Sequence, residues 1–405
     1  MNAFFDRQEQ RIYPAIDMAL SDACHAAPFA LARARICWSE SESDSTTGWG
    51  RDRDGALARV KAVSEAVERR AWRQLPWARW GRASGLPTAI CPDSLTGYAD
   101  SQFEATDFPF TRFTPQRFYW WLPARAILDD AEAWVAADCV CHPCAFASGY
   151  RERLLTFATT SGCASAPRRE TAIAAAAFEL LERDAFMRHW FAQEGGQPVD
   201  LNTLPAAQAA RFMAWRRAGC HTGLMCLHLG LHPVWLAWAQ HPERHFTCLG
   251  TASGADALAA LETALNELDT HVLARLDAGP GLPVKTADQA RTPADHAALY
   301  ASAAYFRQAD VLWSDAGRGA FAFAPLVATF EVRLSVLYRR LASAGHPLHW
   351  VDLSLPAARA IHAGAPLVTV RAVAPGLIPL AFGKLLPLKL DRWRRCPPGA
   401  IHPFT

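Results

Sequence analysis

Residues 46–72, TTGWGRDRDGALARVKAVSEAVERRAW, and residues 160–186, TSGCASAPRRETAIAAAAFELLERDAF, superpose without a gap. Thr46, Thr47 and Gly48 fall on Thr160, Ser161 and Gly162; Glu65, Glu68 and Arg69 fall on Glu179, Glu182 and Arg183; Trp72 falls on Phe186. A third, weaker copy starts at Gly250, with Glu267 as far beyond it as Glu65 lies beyond Gly48. Self-similarity at fixed spacing marks a repeated supersecondary unit. Each copy reads as a glycine loop opening a helix, with a carboxylate about four turns in.

The repeat has a chemical reading. Glu65 and Glu68, like Glu179 and Glu182, stand three apart and share one helical face. The helix AIAAAAFELLERDAFMRHWF is apolar nearly all round, the pattern of a buried helix. Like charges buried together resist ionisation unless cations neutralise them. Arg69 and Arg183 supply fewer charges than the glutamates carry, and Mg²⁺, an oxygen-seeking ion that bridges to phosphates, accounts for the excess. The glycine loops then offer helix N-termini to phosphate. The competing reading is a set of ordinary surface Glu–Arg pairs. It stays open for 55–73, made polar by Arg51, Asp52, Arg53, Arg59 and Lys61, and suits 168–191 poorly.

Working outward, helical patterns cover 55–73, 168–191, 254–277 and 292–304, and strand-like runs cover Phe118–Trp121, Trp134–Ala137, Leu154–Ala158, Pro233–Ala239 and Leu367–Ala374. Their irregular interleaving predicts an α+β fold rather than a doubly wound sheet. No linker marks a boundary, so the 405 residues read as a single domain with a lead-in over 1–25 and an extended Pro-rich tail over 387–405. The chain is 51% hydrophobic and 20% charged with a net charge of +2, which gives no sign of a nucleic-acid or membrane-surface partner. Asp6, Arg7, Glu9 and Arg11 interrupt any signal peptide, no apolar run is long enough to span a bilayer, and eleven cysteines are too sparse for a disulfide scaffold. The expected compartment is the cytoplasm. Cys139, Cys141, His142 and Cys144 lack the distant second ligand pair of a structural zinc site, so a structural reading is preferred over a zinc-dependent protein.

The two signature segments resemble those of the YcaO family, whose helices carry Glu-x-x-Glu-Arg after Gly-rich stretches. The likeness extends through FYWWLPARAIL, CVCHPCAF, GTASGADALAALETALNEL and LVTVRAVAPGLIPLAFG, and thus over nearly the whole chain. It implies a YcaO-type ATP-binding domain in which Glu-bearing helices pack on mixed or antiparallel sheets. It also implies Mg²⁺ on Glu65, Glu68, Glu179, Glu182 and Glu267, with ATP held by Arg183, Arg69, Ser161, Gly162 and Gly48. The chain is most similar in layout to the stand-alone cyclodehydratase subunit of microcin-type heterocycle synthetases. Such a subunit converts Cys, Ser or Thr of a ribosomally made precursor peptide to azolines, with an E1-like leader-binding partner and often a flavin-dependent dehydrogenase. The lead-in is too short to serve as a leader-binding domain, so a hetero-oligomeric complex is expected.

Azoline-forming members often end in a short Pro-rich tail implicated in catalysis, and AIHPFT resembles it, which points to His402 and the terminal carboxylate of Thr405. Three positions depart from the family pattern: Trp49 where many members have Lys, Thr270 where the third helix often has Gln, with His271 as a substitute, and Thr405 in place of a final Pro. A YcaO enzyme making a thioamide or amidine, or a non-catalytic YcaO-like scaffold, are the alternatives.

Overall fold

Gly48 and Gly250 lie inside strands, not in loops at the mouths of helices. The strands are Ser45–Asp52 and Phe246–Ala252, and the helices that follow begin only at Gly55 and Ala257. This corrects the expected glycine loops, and the reason is steric. A Cβ on Gly48 would overlap the carbonyl oxygen of Ala62 and the amide nitrogen of Ala66; one on Gly250 would overlap the carbonyl oxygen of Ala264. The glycines let strand and helix backbones touch, as glycine does wherever two backbones must approach closely.

The computed structural model describes residues 30–38, 44–227, 231–277, 286–314, 319–356, 367–383, 395–396 and 400–404. Along the chain run β1 (Ala30–Cys37), β2 (Ser45–Asp52), α1 (Gly55–Trp72), β3 (Arg79–Arg82), β4 (Phe118–Ala126), β5 (Glu132–Ala136) and β6 (Cys163–Ala166). There follow α2 (Arg169–Ala192), β7 (Gln197–Pro198), α3 (Ala206–Arg217), β8 (His221–Leu227), β9 (Val234–His241), β10 (Phe246–Ala252) and α4 (Ala257–Asp277). The last are α5 (Pro293–Leu299), α6 (Phe323–Phe330), α7 (Leu334–Ser343), β11 (His349–Asp352) and β12 (Val368–Val373), with short helical turns elsewhere. Two compact units emerge, one of residues 30–180 and 334–379, the other of 181–333 and 380–405, so that α2 begins in the first and ends in the second.

In the first unit β1 and β2 form an antiparallel hairpin with Ala34 opposite Gly48, and α1 lies across it. The contact is built of small residues, Ala32, Ala34, Ala58 and Ala62, all buried. Asp54 starts α1 by accepting a hydrogen bond from the Ala56 amide at 2.8 Å. A six-stranded antiparallel sheet completes the unit in the order β3-β4-β11-β12-β6, with β5 also on β4. The second unit is a four-stranded antiparallel sheet, β10-β9-β8-β7, covered by α4 over a core that includes Trp235, Phe246, Leu261 and Leu265. The α+β expectation with antiparallel sheets holds.

The expected strand Leu154–Ala158 is an irregular segment. Its backbone is satisfied without a ladder: the Leu155 amide donates to Asp138 Oδ2 at 2.9 Å and the Leu154 carbonyl accepts from Thr111 at 2.9 Å.

The close approach yields a test of the repeat. Gly48→Ala should destabilise the protein by more than about 3 kcal/mol, because the obstacle is rigid helix backbone. Gly85→Ala, where a Cβ meets nothing within 4 Å, serves as the control in urea unfolding. Equal midpoints for the two variants would remove the steric account.

Candidate functional site

Because the strands run so close to the helices, glutamates on the helices reach strand backbone. The Trp49 amide in β2 donates to Glu65 Oε2. The Thr251 amide in β10 donates to Glu267 Oε2 at 3.0 Å. The Gly162 amide, just before β6, donates to Glu179 Oε2 at 3.1 Å, with Gly162 at φ +80° and enclosed by Leu180 and the Ala372 carbonyl. Each bond satisfies an N–H at the border of a sheet, where no further strand supplies an acceptor.

In the first unit, Glu65 gives its other oxygen to Arg69 at 2.7 Å, and Arg69 also donates to the Thr47 carbonyl at 2.6 Å. Glu68, one turn on, has no such strand partner. Part of the residue reaches solvent, yet its carboxyl is enclosed by protein. Burial, reinforced by the neighbouring carboxylates of Glu179 and Glu65, holds that carboxyl well above the usual range, and the charges of Arg69 and Arg371 only partly oppose the shift. Buried Ser161 accepts from Thr159 Oγ1 at 3.0 Å. The position where many family members carry Lys holds Trp49, and the Arg33 guanidinium lies 5.6 Å over its ring.

In the second unit, Glu182 is buried and accepts from Thr251 Oγ1 and from Arg183 Nη1, the latter at 2.8 Å. Burial pushes its carboxyl up to about 7; Arg183 opposes the shift and Glu267 adds to it. Leu249, Thr251, Glu267, His271 and Phe404 line a small recess there. Thr270, where a Gln was expected, merely donates back to the Asn266 carbonyl at 2.7 Å, while His271 Nδ1 bonds the Leu249 carbonyl at 2.9 Å.

These donor sets fit Mg²⁺. They are hard carboxylate oxygens, crowded and enclosed enough that Glu68 and Glu182 resist ionisation unless a cation joins them. Among the described residues no three acidic, His or Cys side chains gather closely enough to chelate an ion by themselves. Mg²⁺ commonly completes its shell with water and phosphate oxygens. Glu65, Glu179 and Glu267 hold their places through the strand amides, and Glu68 and Glu182 carry the unmet demand for positive charge.

Most of the expected tail over 387–405 lies outside the described residues; residues 400–404 are irregular and packed in. Ile401, His402 and Phe404 are buried; Thr405, also expected at the site, lies outside the described residues. Tyr300 donates to the Ile401 carbonyl at 2.6 Å. His296 accepts at Nε2 from the Gly383 amide, so its Nδ1 donates to the His402 carbonyl, both at 2.9 Å. His402 Nε2 donates to the Ala381 carbonyl at 2.8 Å. Burial, and then His296, hold His402 well below its ordinary value. These bonds seat His402 as an anchor of the described end of the chain. Beyond it the Phe404 ring lies 4.1 Å beneath the Arg183 guanidinium.

Arg371 is the residue that the sequence reading left unassigned. It is buried in β12, donates to the Thr159 carbonyl and to Cys163 Sγ, and offsets the charge of Glu68. A lone cation in the run LVTVRAVA was its signal. In the Cys139–Cys144 segment, Cys139 and Cys141 are buried with thiols pushed far up by desolvation, and His142 Nδ1 accepts from the Cys144 amide. Cys163 is buried too, its thiol pushed up to about 12 by desolvation, while Cys91 and Cys144 are exposed.

The fold is thus an antiparallel α+β chain in which repeated helices carry glutamates and arginines. The chain belongs to the YcaO family: the family model described as YcaO cyclodehydratase, ATP- and Mg²⁺-binding, matches residues 49–378. ATP and Mg²⁺ are that family's cofactors.

Solved structures agree on the fold. A heterocyclase in complex with substrate and cofactor superposes with a TM-score of 0.72 at 17% identity, covering 96% of this chain and 55% of its own. The heterocyclase TruD gives 0.64 at 18%, covering 85% and 49%. YcaO from Methanopyrus kandleri bound with AMPPCP and Mg²⁺ gives 0.63 at 17%, covering 96% and 90%. The chain thus spans about half the length of the two heterocyclases. A comparison with curated proteins finds no match.

Two outcomes are expected. With Glu182 as a ligand, Mg²⁺ would compete with the proton on it, and its affinity in the presence of a non-hydrolysable ATP analogue should rise about tenfold from about pH 6 to about pH 8. Glu182→Gln should flatten that dependence in calorimetry; an unchanged slope would take Glu182 out of the ion's surroundings. Deleting residues 401–405 should cost about 3 kcal/mol or more in urea unfolding, because it strips buried Ile401, His402 and Phe404 from the core. An unaltered midpoint would show the end to be dispensable for packing.

Proposed function

We propose that this chain is the cyclodehydratase subunit of a peptide-modifying system, which converts Cys, Ser or Thr residues of a ribosomally made precursor to thiazolines or oxazolines. The observation that carries the reading is the enclosed carboxylate set of a YcaO chain, with Glu68 and Glu182 both resisting ionisation. A substrate side chain gives up its proton and attacks the amide carbonyl before it, which closes the ring; the resulting oxyanion takes the terminal phosphoryl group of ATP, releasing ADP, and phosphate then departs as the amide nitrogen loses its proton and the C=N bond forms. ATP supplies the phosphoryl group and Mg²⁺ offsets the charge on its phosphates.

The chain's own work is positioning and charge compensation. Glu65 and Glu179 in the first unit, and Glu267 in the second, are fixed by backbone amides, which sets where each carboxylate stands for Mg²⁺. Arg183, held by Glu182 and backed by the Phe404 ring, is the cation of the second unit suited to phosphate. In the first unit Arg69, Ser161, Gly162 and Gly48 are the groups for ATP, Gly48 through its peptide groups, since its α-carbon faces the helix. No nucleophile on the chain is required.

Partners follow from the same reading. The E. coli microcin synthetase McbBCD complex, one form of it with pro-MccB17 bound, superposes with TM-scores of 0.61 and 0.62 at 12% identity. An E1-like leader-binding protein, and a flavin-dependent dehydrogenase that oxidises the azolines, suit this chain as companions. No helix among the described residues is long and apolar enough to cross a membrane, in keeping with work in the cytoplasm.

Glu182→Gln, an isostere without charge, should lower ATP turnover by at least about a hundredfold and leave the thermal midpoint unchanged. With precursor and partner present, the wild type should remove one water per ring formed, as read by mass spectrometry. Replacing the core Cys, Ser and Thr with Ala should abolish that loss. A dehydrated product from the Ala substrate would favour amidine formation, gain of sulfur for oxygen would favour thioamide formation, and no ATP turnover at all would favour the scaffold.

A further inference from the structure

At one border of the six-stranded sheet of the first unit, β3 pairs only with β4 among the described residues. Its sequence is Arg79-Trp80-Gly81-Arg82, and all but the glycine are exposed. Short, charged edges ordinarily guard a sheet against unwanted pairing, and the arginines alone would be read that way. The aromatic side chains beside them call for another account. Trp80, 40% exposed, stacks on Phe118, 42% exposed, with ring centres 5.9 Å apart; Trp77, just ahead of the strand, is 70% exposed.

Arginines lie against these rings. The Arg82 guanidinium is 4.8 Å from the Phe118 ring centre, that of Arg153 is 5.4 Å from Trp80, and that of Arg79 is 6.0 Å from Trp134. Arg79 and Arg82 form no ion pair among the described residues, and their flat forks remain open to a bidentate acceptor. From residue 73 to residue 92 the chain holds three arginines and no Asp or Glu. Between the two arginines of β3, a Cβ on Gly81 would meet nothing within 4 Å, which leaves room for an incoming side chain or backbone.

These features select a partner. Exposed Trp and Arg are the residue types that dominate the energy of protein interfaces. A free strand edge offers N–H and C=O groups that only another polypeptide reads in register. The uncompensated positive charge calls for carboxylates. We propose that the outer edge of β3 is a docking edge for an extended, acidic segment of a partner polypeptide, which adds as a further strand and sets Asp or Glu side chains on Arg79 and Arg82. The site is independent of the carboxylate clusters and of the proposed reaction.

The experiment uses the full chain and a fluorescein-labelled nonapeptide of alternating Glu and Val, read by anisotropy at low salt. Saturable micromolar binding is expected. It should weaken at least about tenfold in the Arg79→Glu, Arg82→Glu double variant, and stay unchanged in Arg217→Glu, an exposed charge on α3. The same peptide with Lys in place of Glu should not bind. Equal binding of the Glu and Lys peptides, or full binding by the double variant, overturns the proposal. Binding to phosphatidylglycerol vesicles without binding to the Glu peptide also overturns it, in favour of a membrane surface.

Discussion

The contact between a glycine in a border strand and the backbone of the following helix is the constraint on which the rest depends. With any larger residue at Gly48 or Gly250, the helix must stand off from the strand. A glutamate on that helix would then fall short of the strand amide. At contact distance Glu65 reaches Trp49 and Glu267 reaches Thr251, so the carboxylate lies in a fixed direction before any ligand arrives. Pre-set donors of this kind need little reorganisation when charge appears beside them, the usual source of electrostatic catalysis. The bond serves stability and function at once, closing a sheet border and orienting an acidic group.

Within each helix the labour is divided by position. Glutamates seventeen residues beyond the glycine are backbone acceptors; those three further on, Glu68 and Glu182, meet crowding and burial instead. In the third copy that later position is Thr270, which turns back on its own helix, and Glu267 stands without a companion one turn on. The chain end contributes a different kind of order. Its carbonyls are claimed by Tyr300 and His296, and Phe404 backs the guanidinium of Arg183.

The sequence disclosed the helices and the acidic positions because both depend on periodic spacing within one segment. It disclosed the strands poorly where glycine and polar residues break the alternation that marks a strand. STTGWGRD over β2 reads as a loop, and only packing against α1 shows why those glycines belong in a sheet. Leu154–Ala158 has the composition of a strand, but Asp138, far along the chain, takes its backbone hydrogen bond. Arg371 was visible as a charge among apolar residues, while its partner Thr159 lies 212 positions away and no local pattern connects them. The tail's prolines told of stiffness and not of burial, because Tyr300 and His296, which seat it, belong to a distant stretch of chain.

The placement of the cysteines has a practical side. Cys139, Cys141 and Cys163 are shut away with their thiols pushed up, so they present almost no thiolate to an alkylating reagent at neutral pH. Cys91 and Cys144, both in the first unit, are the exposed thiols among the described residues. Among the described cysteines, a maleimide dye would therefore mark this unit at its surface and leave those around Glu68 and Glu182 untouched. These are two native attachment points among the described residues for following the binding of partners.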